Sequence, residues 1–452
     1  MKRTILLTIC MLLTLSTLFG QDLTSREKSA QAKKIREACR YAWNGYKAYA
    51  WGYDALKPVS KTGHNWYKIP FLMTPVDAFD TFILLGMKKE AGEAKKIIFS
   101  DLKFDVDVEV QFFEVNIRLV GGLLSAYDLT GEKKFLDLAT DLGRRLLPAF
   151  KSPTGMPYRY VNLKTGITRG AVSNPAEIGT CLLEFGKLTQ HTKDSLFFKT
   201  AKKAALEVFR RRSDIDLVGT TIDVNTGEWK NTESQIGACI DSYYEYLFKA
   251  WLLFGDKDCK AAWEIHNRAI MKRLYTETPD GSYFTRVDYG SGKETHSWYG
   301  ALDAFYPGIL VLSGDIATAR KIQQGNFHMW TTFNLEPETF DFRTDSLVEP
   351  SYPLRPENIE SCFYLYRFTR DPLYQQMGRR MINDIISKCK TEAGFAAMKN
   401  VMTLEKEDSM ESFFFAETLK YAYLLFAPDS TLDLKQWVFN TEAHPFFRTF
   451  AD

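Results

Sequence analysis

The stretch FFEVNIRLVGGLLSAYDLTG, residues 112–131, decides the fold because it joins a long apolar helix to a glycine stop. Its aliphatic and aromatic residues predict a buried helix. Gly131 suits the end of that helix, since glycine accepts the left-handed backbone conformation. The stretch EKKFLD, residues 132–137, then opens a second, amphipathic helix. This part of the chain therefore predicts a helical hairpin.

The same arrangement recurs along the chain. Short Gly or Asp turns separate apolar helices from amphipathic ones, and successive turns lie 45 to 63 residues apart. A period near sixty with two helices per unit indicates a repeat architecture, either an open solenoid or a closed ring of seven helix pairs. Segments 152–175 and 276–297 predict short β-hairpins at one end of that scaffold. The turns centre on Gly86, Gly131, Asp194, Gly255, Gly314, Asp371 and Asp429.

Each repeat also carries a carboxylate near the start of its first helix, roughly three to five helical turns before the Gly or Asp turn. If these helices run parallel, the acids gather at one mouth of the ring. A helix cap or a favourable helix dipole explains any single acid equally well. Seven acids at matched positions favour a shared function, and converging carboxylates suit glycoside hydrolysis or calcium binding. They are Asp77, Glu114, Glu177, Asp241, Asp303, Glu357 and Glu411.

Composition narrows the class of protein. The 452 residues are 45% hydrophobic, which is ample for a large core, and no linker or charge block divides them. We therefore expect residues 21–452 to form a single catalytic domain. A formal net charge of +2 argues against nucleic acid as a partner. An aromatic content of 14% leans mildly toward carbohydrate, because flat rings stack on sugar faces.

Residues 1–20, MKRTILLTICMLLTLSTLFG, read as a secretory signal peptide. Lys2 and Arg3 precede an apolar run that is short for a transmembrane helix. This pattern predicts an exported protein with no stable membrane insertion after cleavage. Six further cysteines permit disulfides, but their apolar helical context favours buried free thiols. No CxxC pair is present, so a cysteine zinc site is not expected.

Ordered motifs along nearly the whole mature chain resemble the class I α-mannosidases, glycoside hydrolase family 47. They include TPVDAFDTFILLGM (74–87), DSYYEYLFKAW (241–251), YPLRPENIESCFYLYRFT (352–369) and FNTEAHPF (439–446). Several long motifs in one order are far more specific than a lone short pattern. The resemblance implies an all-α fold, an (α/α)7 barrel. It also implies removal of terminal α-1,2-linked mannose from oligomannose glycans, by inversion, with bound Ca2+.

The resemblance implies roles residue by residue. Glu114 and Asp241 match two catalytic acid positions, and Glu357 matches the base. We take Glu114 as proton donor and Asp241 as a necessary partner, although the match itself leaves the donor open between them. Thr441, in NTEAHP, matches the calcium-binding threonine. Positions that contact sugar or support calcium are matched by Arg118, Glu177, Arg355, Glu360, Phe413 and Glu417.

Structural alternatives exist for several of these residues. Arg118 and Arg355 could form salt bridges with the ring of acids, Phe413 could be core, and Thr441 could cap a turn. Cys239 departs from the pattern, because some processing enzymes carry an arginine there. Two hypotheses follow, an exported exo-α-1,2-mannosidase or a lectin-like glycan-binding protein on the same fold. Three intact catalytic carboxylates favour the enzyme.

Overall fold

The computed structural model describes residues 22–450 of the protein. The expected signal peptide, residues 1–20, lies outside the described residues. Within the described range, two concentric rings of helices account for most of the chain. No helix in this range combines the length and the apolar character that crossing a membrane requires.

The inner ring consists of deeply buried helices, several of which join two or three short segments. Neighbouring inner helices pack against each other around the whole circle, and the last packs on the first. The scaffold is therefore the closed (α/α)7 barrel rather than an open solenoid. Its helical segments are Met73–Leu84; Phe112–Glu114, Val115–Val120 and Gly121–Thr130; Pro175–Gly179 and Leu182–Thr192; Asp241–Phe254; Leu302–Phe305 and Tyr306–Ser313; Glu357–Thr369; and Phe414–Thr418 and Leu419–Phe426.

The outer ring covers the inner one with amphipathic helices. In Lys133–Leu146, for example, Phe135, Ala139, Leu142 and Leu146 are buried at helical spacing while the intervening residues face outward. Six of the seven inner helices turn into the outer helix that follows them through a residue in the left-handed conformation, as Gly131 does with φ 71°. The outer helices are Ser25–Tyr49, Lys88–Asp101, Lys133–Leu146, Leu196–Arg210, Lys257–Arg273, Ile316–Thr332 and Pro372–Lys388.

Small antiparallel sheets cover the end of the barrel at which the inner helices begin, as the sequence predicts for one end. They fill the connections between each outer helix and the next inner helix. The strands of each sheet, with the sheets separated by semicolons, are Ala55–Lys57 and Thr62–His64; Glu109–Gln111, Tyr160–Asn162 and Thr168–Arg169; Val172–Ser173, Thr221–Asp223 and Trp229–Asn231; Glu233–Ser234, Arg286–Asp288 and Glu294–His296; Tyr275–Thr278 and Gly281–Phe284; Trp298–Gly300, Thr339–Asp341 and Ser346–Glu349; and Met398–Asn400 and Glu405–Lys406.

The seventh hairpin differs from the expectation. No amphipathic helix follows the turn at Asp429; a short 3-10 turn, Asp429–Thr431, leads into a strand instead. Pro428 explains the stop, because a proline disfavours helical backbone at the preceding residue, and Ala427 is extended. The outer partner of this last inner helix is Ser25–Tyr49, which packs against Leu419–Phe426 and closes the ring.

The strands Trp437–Phe439 and Pro445–Phe447 form a hairpin whose tip reaches into the barrel. A fully buried charge cluster fastens that tip: His444 Nδ1 lies 2.6 Å from Asp80 Oδ2, and Lys420 Nζ lies 2.7 Å from Asp80 Oδ1. His444 Nε2 also lies 3.2 Å from Asp77 Oδ1. Burial alone would lower the pKa of His444, but Asp80 and Asp77 raise it to about 9.

The six cysteines in the described range are all free, and five of them are buried. This confirms the preference for buried thiols over disulfides. The fold is thus held by packing and by polar contacts such as the cluster at Asp80.

Replacing Lys420 with methionine tests that cluster. Lys420→Met leaves the buried Asp80 carboxylate without its lysine partner, so we expect the free energy of unfolding to fall by about 3–5 kcal/mol. Urea denaturation followed by circular dichroism measures the change. The control is Lys33→Met, since Lys33 pairs with Glu37 on the surface and should matter little. Equal stability of the two variants would contradict the role given to the cluster.

Candidate functional site

One cavity of 280 Å³ opens at the end of the barrel where the inner helices begin. Four of the seven ring acids reach it, because their helices start at the same level of the ring. All of the sequence-predicted site residues except Glu360 contribute to its wall. They are Glu114, Arg118, Glu177, Asp241, Arg355, Glu357, Phe413, Glu417 and Thr441.

Arg118 is the buried cation of the cavity. It lies in the segment Val115–Val120, a π-helical stretch of the kind often found at functional sites. Its Nε donates to Glu114 Oε2 at 2.9 Å, and its Nη1 pairs with Glu442. Asp77 Oδ2 lies 3.5 Å from the same Nη1. Arg118 therefore joins the cavity wall to the tip of the C-terminal hairpin.

Glu177, on the neighbouring inner helix, is held by several donors. Arg159 donates to both of its carboxylate oxygens, at 2.7 and 2.8 Å, and Gln111 and Ser173 add bonds at 3.1 Å each. Asn174 caps the helix that carries it, with Oδ1 accepting from the Glu177 amide at 2.9 Å. These contacts fix the orientation of Glu177 before any ligand enters.

Asp241 is the first residue of the helix Asp241–Phe254. Its Oδ1 accepts from the Ser242 amide at 2.7 Å. Burial raises the pKa of Asp241 to about 7, and the nearby Glu245 and Asp303 carboxyls add to the rise. A carboxyl of this pKa exchanges protons near neutral pH.

Glu357 begins the helix Glu357–Thr369. Its Oε2 is shielded from solvent and has no hydrogen-bond partner within the described protein, so a lone pair is free to accept a proton. Burial raises the pKa of Glu357 to about 8, although the nearby Arg355 opposes the rise. Glu338 holds Arg355 through bonds of 2.7 and 3.2 Å.

Phe413 supplies an apolar surface between two cations. The guanidinium carbons of Arg118 and Arg355 each lie 5.7 Å from its ring centroid. The ring precedes a second π-helical stretch, Phe414–Thr418, which carries Glu417. Burial raises the pKa of Glu417, with Glu442 and Glu357 as further causes.

Thr441 lies at the tip of the C-terminal hairpin and lines both the main cavity and a smaller one of 40 Å³. Glu360 lines the smaller cavity, where Tyr421 donates to its Oε1 at 3.0 Å. Burial raises the pKa of Glu360 to about 8 despite the opposing charge of Lys249. The hairpin tip thus places Thr441 beside the ring of acids.

Three ring acids do not reach either cavity. Asp77 is buried against Arg118 and His444. Asp303 accepts from the Gly300 amide at 2.9 Å, and Glu411 accepts from the Ser409 hydroxyl at 2.9 Å. These contacts are ion pairs and hydrogen bonds to neighbouring residues, rather than the helix caps considered from the sequence.

Sequence reasoning missed two further acids of the site. Glu442 lines the main cavity and pairs with Arg118, and Glu245 lines the smaller one and pairs with Lys249. The sequence contains a signal for each of these two acids. Glu442 follows Thr441 directly, and Glu245 lies one helical turn after Asp241.

Comparison with known proteins agrees with this geometry. The profile described as glycosyl hydrolase family 47 matches residues 38–448. The chain belongs to glycosyl hydrolase family 47. Its predicted membership and its predicted barrel are confirmed together, because the alpha-1,2-mannosidase from Trichoderma reesei superposes with a TM-score of 0.87. That match has 27% identity and covers 93% of this chain and 99% of the fungal one.

Curated relatives carry names from two branches of the family, the 1,2-alpha-mannosidases and the ER degradation-enhancing alpha-mannosidase-like proteins. The mannosyl-oligosaccharide 1,2-alpha-mannosidase MNS1 of Arabidopsis thaliana is 36% identical, over 91% of this chain and 78% of the relative. The ER degradation-enhancing alpha-mannosidase-like protein 2 of Mus musculus is 37% identical, over 94% of this chain and 79% of the relative. The family 47 chain is thus a glycoside hydrolase that resembles both branches.

The raised pKa values predict an unusual dependence of stability on pH. In their folded environment Asp241, Glu357 and Glu360 titrate at about 7 to 8, well above their ordinary values. The folded protein then binds more protons than the unfolded chain, so the free energy of unfolding falls as pH rises. His444 acts in the same direction, because its stabilising effect is lost as pH rises toward about 9.

We therefore expect the protein in chelator to be less stable at pH of about 8 than at about 6.5. Urea denaturation at the two pH values measures the difference. Glu360→Gln removes one of the titrating groups and should reduce the slope. A stability that is flat or rises over this range would contradict the assignment.

Proposed function

We propose that this family 47 protein is an exported, calcium-dependent exo-α-1,2-mannosidase that cuts terminal α-1,2-linked mannose from oligomannose glycans with inversion. The observation that carries the proposal is the convergence of Glu114, Asp241 and Glu357 on one cavity with Thr441 at its wall. The names of the relatives supply the sugar and the linkage. Inverting glycosidases need an acid, a base and space for one water between them.

The shape of the cavity supports exo action. The tip of the C-terminal hairpin, residues 440–444, lies below the proposed sugar site and favours entry of an oligosaccharide by its end. Phe413 offers a ring face to the terminal sugar. Arg118, Arg355 and Glu177, each fixed by a partner, offer donors and acceptors to its hydroxyl groups.

Glu357 is the proposed base. Its unpartnered Oε2 can accept the proton of an attacking water, and its position at a helix start keeps the carboxyl aimed into the cavity. The proton for the leaving oxygen is assigned to Glu114, whose side chain is 24% accessible and is oriented by Arg118. Asp241 is the necessary partner in the same wall, and burial raises its pKa to about 7.

The residues around Thr441 fit a calcium ion. Asp241, Glu357, Glu360 and Glu417 surround the smaller cavity, and burial raises the pKa of each. A nearby cation would relieve that accumulation of acids. Across residues 22–450, no group of three or more His, Cys, Asp or Glu side chains is arranged to bind a metal directly. This suits a site where Thr441 oxygens and waters are the ligands, and the acids hold the waters.

Calcium bound there would supply a positive charge that holds sugar hydroxyl groups and favours the ionised form of neighbouring carboxyls. The protein's own contribution is to fix Thr441. The Thr441 amide donates to Tyr246 OH at 3.3 Å, and Tyr246 OH donates to Glu184 Oε1 at 2.6 Å. Asn440 Nδ2 donates to the same Glu184 oxygen at 2.9 Å. The hairpin tip is therefore tied to two inner helices.

A panel of carboxylate variants tests the catalytic roles. With a mannose-α-1,2-mannose disaccharide, Glu357→Gln should lower kcat by about 10²–10⁴-fold, because the general base is lost. Glu114→Gln should also be slow on the disaccharide but should recover on α-mannosyl fluoride, whose leaving group needs no proton. NMR of the first product of the native enzyme should show β-mannose.

Glu411→Gln is the matched control, since Glu411 also lies near a helix start of the ring but lines neither cavity. Its kcat should be nearly normal. Near-normal turnover of Glu357→Gln, or first release of α-mannose, would contradict the mechanism. Tight glycan binding by the native protein without any hydrolysis would support the lectin-like alternative.

Removing the Thr441 hydroxyl tests the calcium site. Thr441→Val keeps the side-chain shape but deletes one oxygen ligand, so we expect weaker calcium binding and a parallel loss of kcat. Isothermal titration of the chelator-treated protein with Ca2+ measures the affinity, and metal add-back measures activity. Zn2+ should restore less, because the site offers oxygen rather than nitrogen or sulfur. Full activity after exhaustive chelation would refute the proposal.

A further inference from the structure

The last residue of the first helix and the loop that follows it carry three exposed aromatic side chains. Tyr49, Trp51 and Tyr53 have exposed fractions of 43%, 41% and 45%. Rings of this size usually lie largely buried, and their concentration in five consecutive residues is unusual for a surface loop. We call these three residues the aromatic platform.

Packing from below holds two of the rings in place. A Cβ on Gly63 would lie 2.3 Å from the nearest ring carbon of Tyr53, so the Tyr53 ring rests on the glycine backbone of the hairpin Ala55–Lys57 and Thr62–His64. Trp51 sets its ring against buried Trp43, with centroids 5.7 Å apart and an interplanar angle of 76°. Both rings are thus oriented in advance, which lowers the entropy lost when a ligand binds.

A polar cleft lies beside the platform. It has a volume of 350 Å³, within the range of small-molecule sites. Lys61 crosses it to Glu392, with Nζ 2.5 Å from Oε2, and the same Nζ lies 6.0 Å from the Tyr49 ring centroid. The cleft is lined by Pro58, Val59, Lys61, Thr391, Glu392 and Lys406. Rings and hydrogen-bonding groups therefore lie side by side.

The platform is continuous with the wall of the catalytic cavity. Asp54, which follows Tyr53, accepts from the Trp66 amide at 3.0 Å. The Trp66 ring in turn lies against Arg118, with the guanidinium carbon 5.0 Å from the ring centroid. Platform and cavity thus belong to one end of the barrel, joined through a single buried carboxylate.

We propose that the aromatic platform and its cleft form a second carbohydrate-binding site, which holds a non-reacting branch of the oligosaccharide cut in the main cavity. A pyranose presents a face of C–H groups to a ring and a rim of hydroxyl groups to polar neighbours. The exposed rings and the Lys61–Glu392 pair match those two features. The cleft is mostly polar, with Pro58 and Val59 as its aliphatic residues, which favours a ligand rich in hydroxyl groups over an apolar side chain of a polypeptide.

The proposal rests on the glycosidase function above, and its test compares two substrates. For Tyr53→Ala we expect kcat/KM on a branched oligomannose substrate to fall by roughly 2- to 12-fold, the worth of one stacking contact. Turnover of the mannose-α-1,2-mannose disaccharide should not change, because the disaccharide has no second branch for the platform to hold. Tyr53→Phe keeps the ring and should behave like the native enzyme on both substrates.

Phe368→Ala is the matched control, since Phe368 is 46% exposed but lies near the other end of the helix that Glu357 begins. It should have no effect on either substrate. Equal losses on both substrates for Tyr53→Ala would overturn the proposal. So would a loss seen only when the glycan is attached to an unfolded polypeptide, because the platform would then bind protein.

A binding measurement separates this proposal from the catalytic one. Isothermal titration of Glu357→Gln with branched oligomannose, with and without Tyr53→Ala, reports platform binding without turnover. A weaker affinity with Tyr53→Ala supports the second site even if the disaccharide is never cut by the native protein. Unchanged affinity refutes it, whatever the activity.

Discussion

Everything in the site depends on a set of charges that the fold removes from water beneath the cavity. Lys420 and His444 both pair with Asp80 at zero exposure, and Arg118 bridges Asp77 to Glu442 at the hairpin tip. Buried charges are tolerable only in such closed sets. Because the members come from several inner helices and from the C-terminal hairpin, the set also fixes how far the hairpin enters the barrel. The position of the sugar site follows from that depth.

The carboxyls around the smaller cavity lie in a different electrostatic environment from the paired charges beneath the cavity. The carboxyls of Asp241, Glu357, Glu360 and Glu417 crowd together with few cations, and their pKa values rise. Crowding of these carboxyls lowers the stability of the fold at the place where acid and base chemistry is needed. The charges beneath the cavity, in contrast, are paired. Thr441 lies where the crowded carboxyls meet the paired charges.

The fold was largely predictable from the sequence, and the site only in part. Helix periodicity and turn residues give the hairpins, but closure of the ring depends on contacts between residues such as Arg36 and Tyr423, 387 positions apart, which no local pattern reports. Matched spacing identified the acids without separating Glu357, which faces the cavity, from Glu411, which does not. The resemblance to family 47 separated Glu357 from Glu411, and it also identified Thr441 as a candidate calcium ligand.

Closure of the ring by distant segments has a consequence for the order of synthesis. The first helix packs against Leu419–Phe426, and residues 440–444 form the floor of the site. Nearly the whole polypeptide must therefore leave the ribosome before the first helix can dock or the floor can form. Such late, long-range contacts are slow to form. A nascent or truncated molecule would therefore have most of its helices yet no working centre, which delays enzymatic activity until assembly is complete.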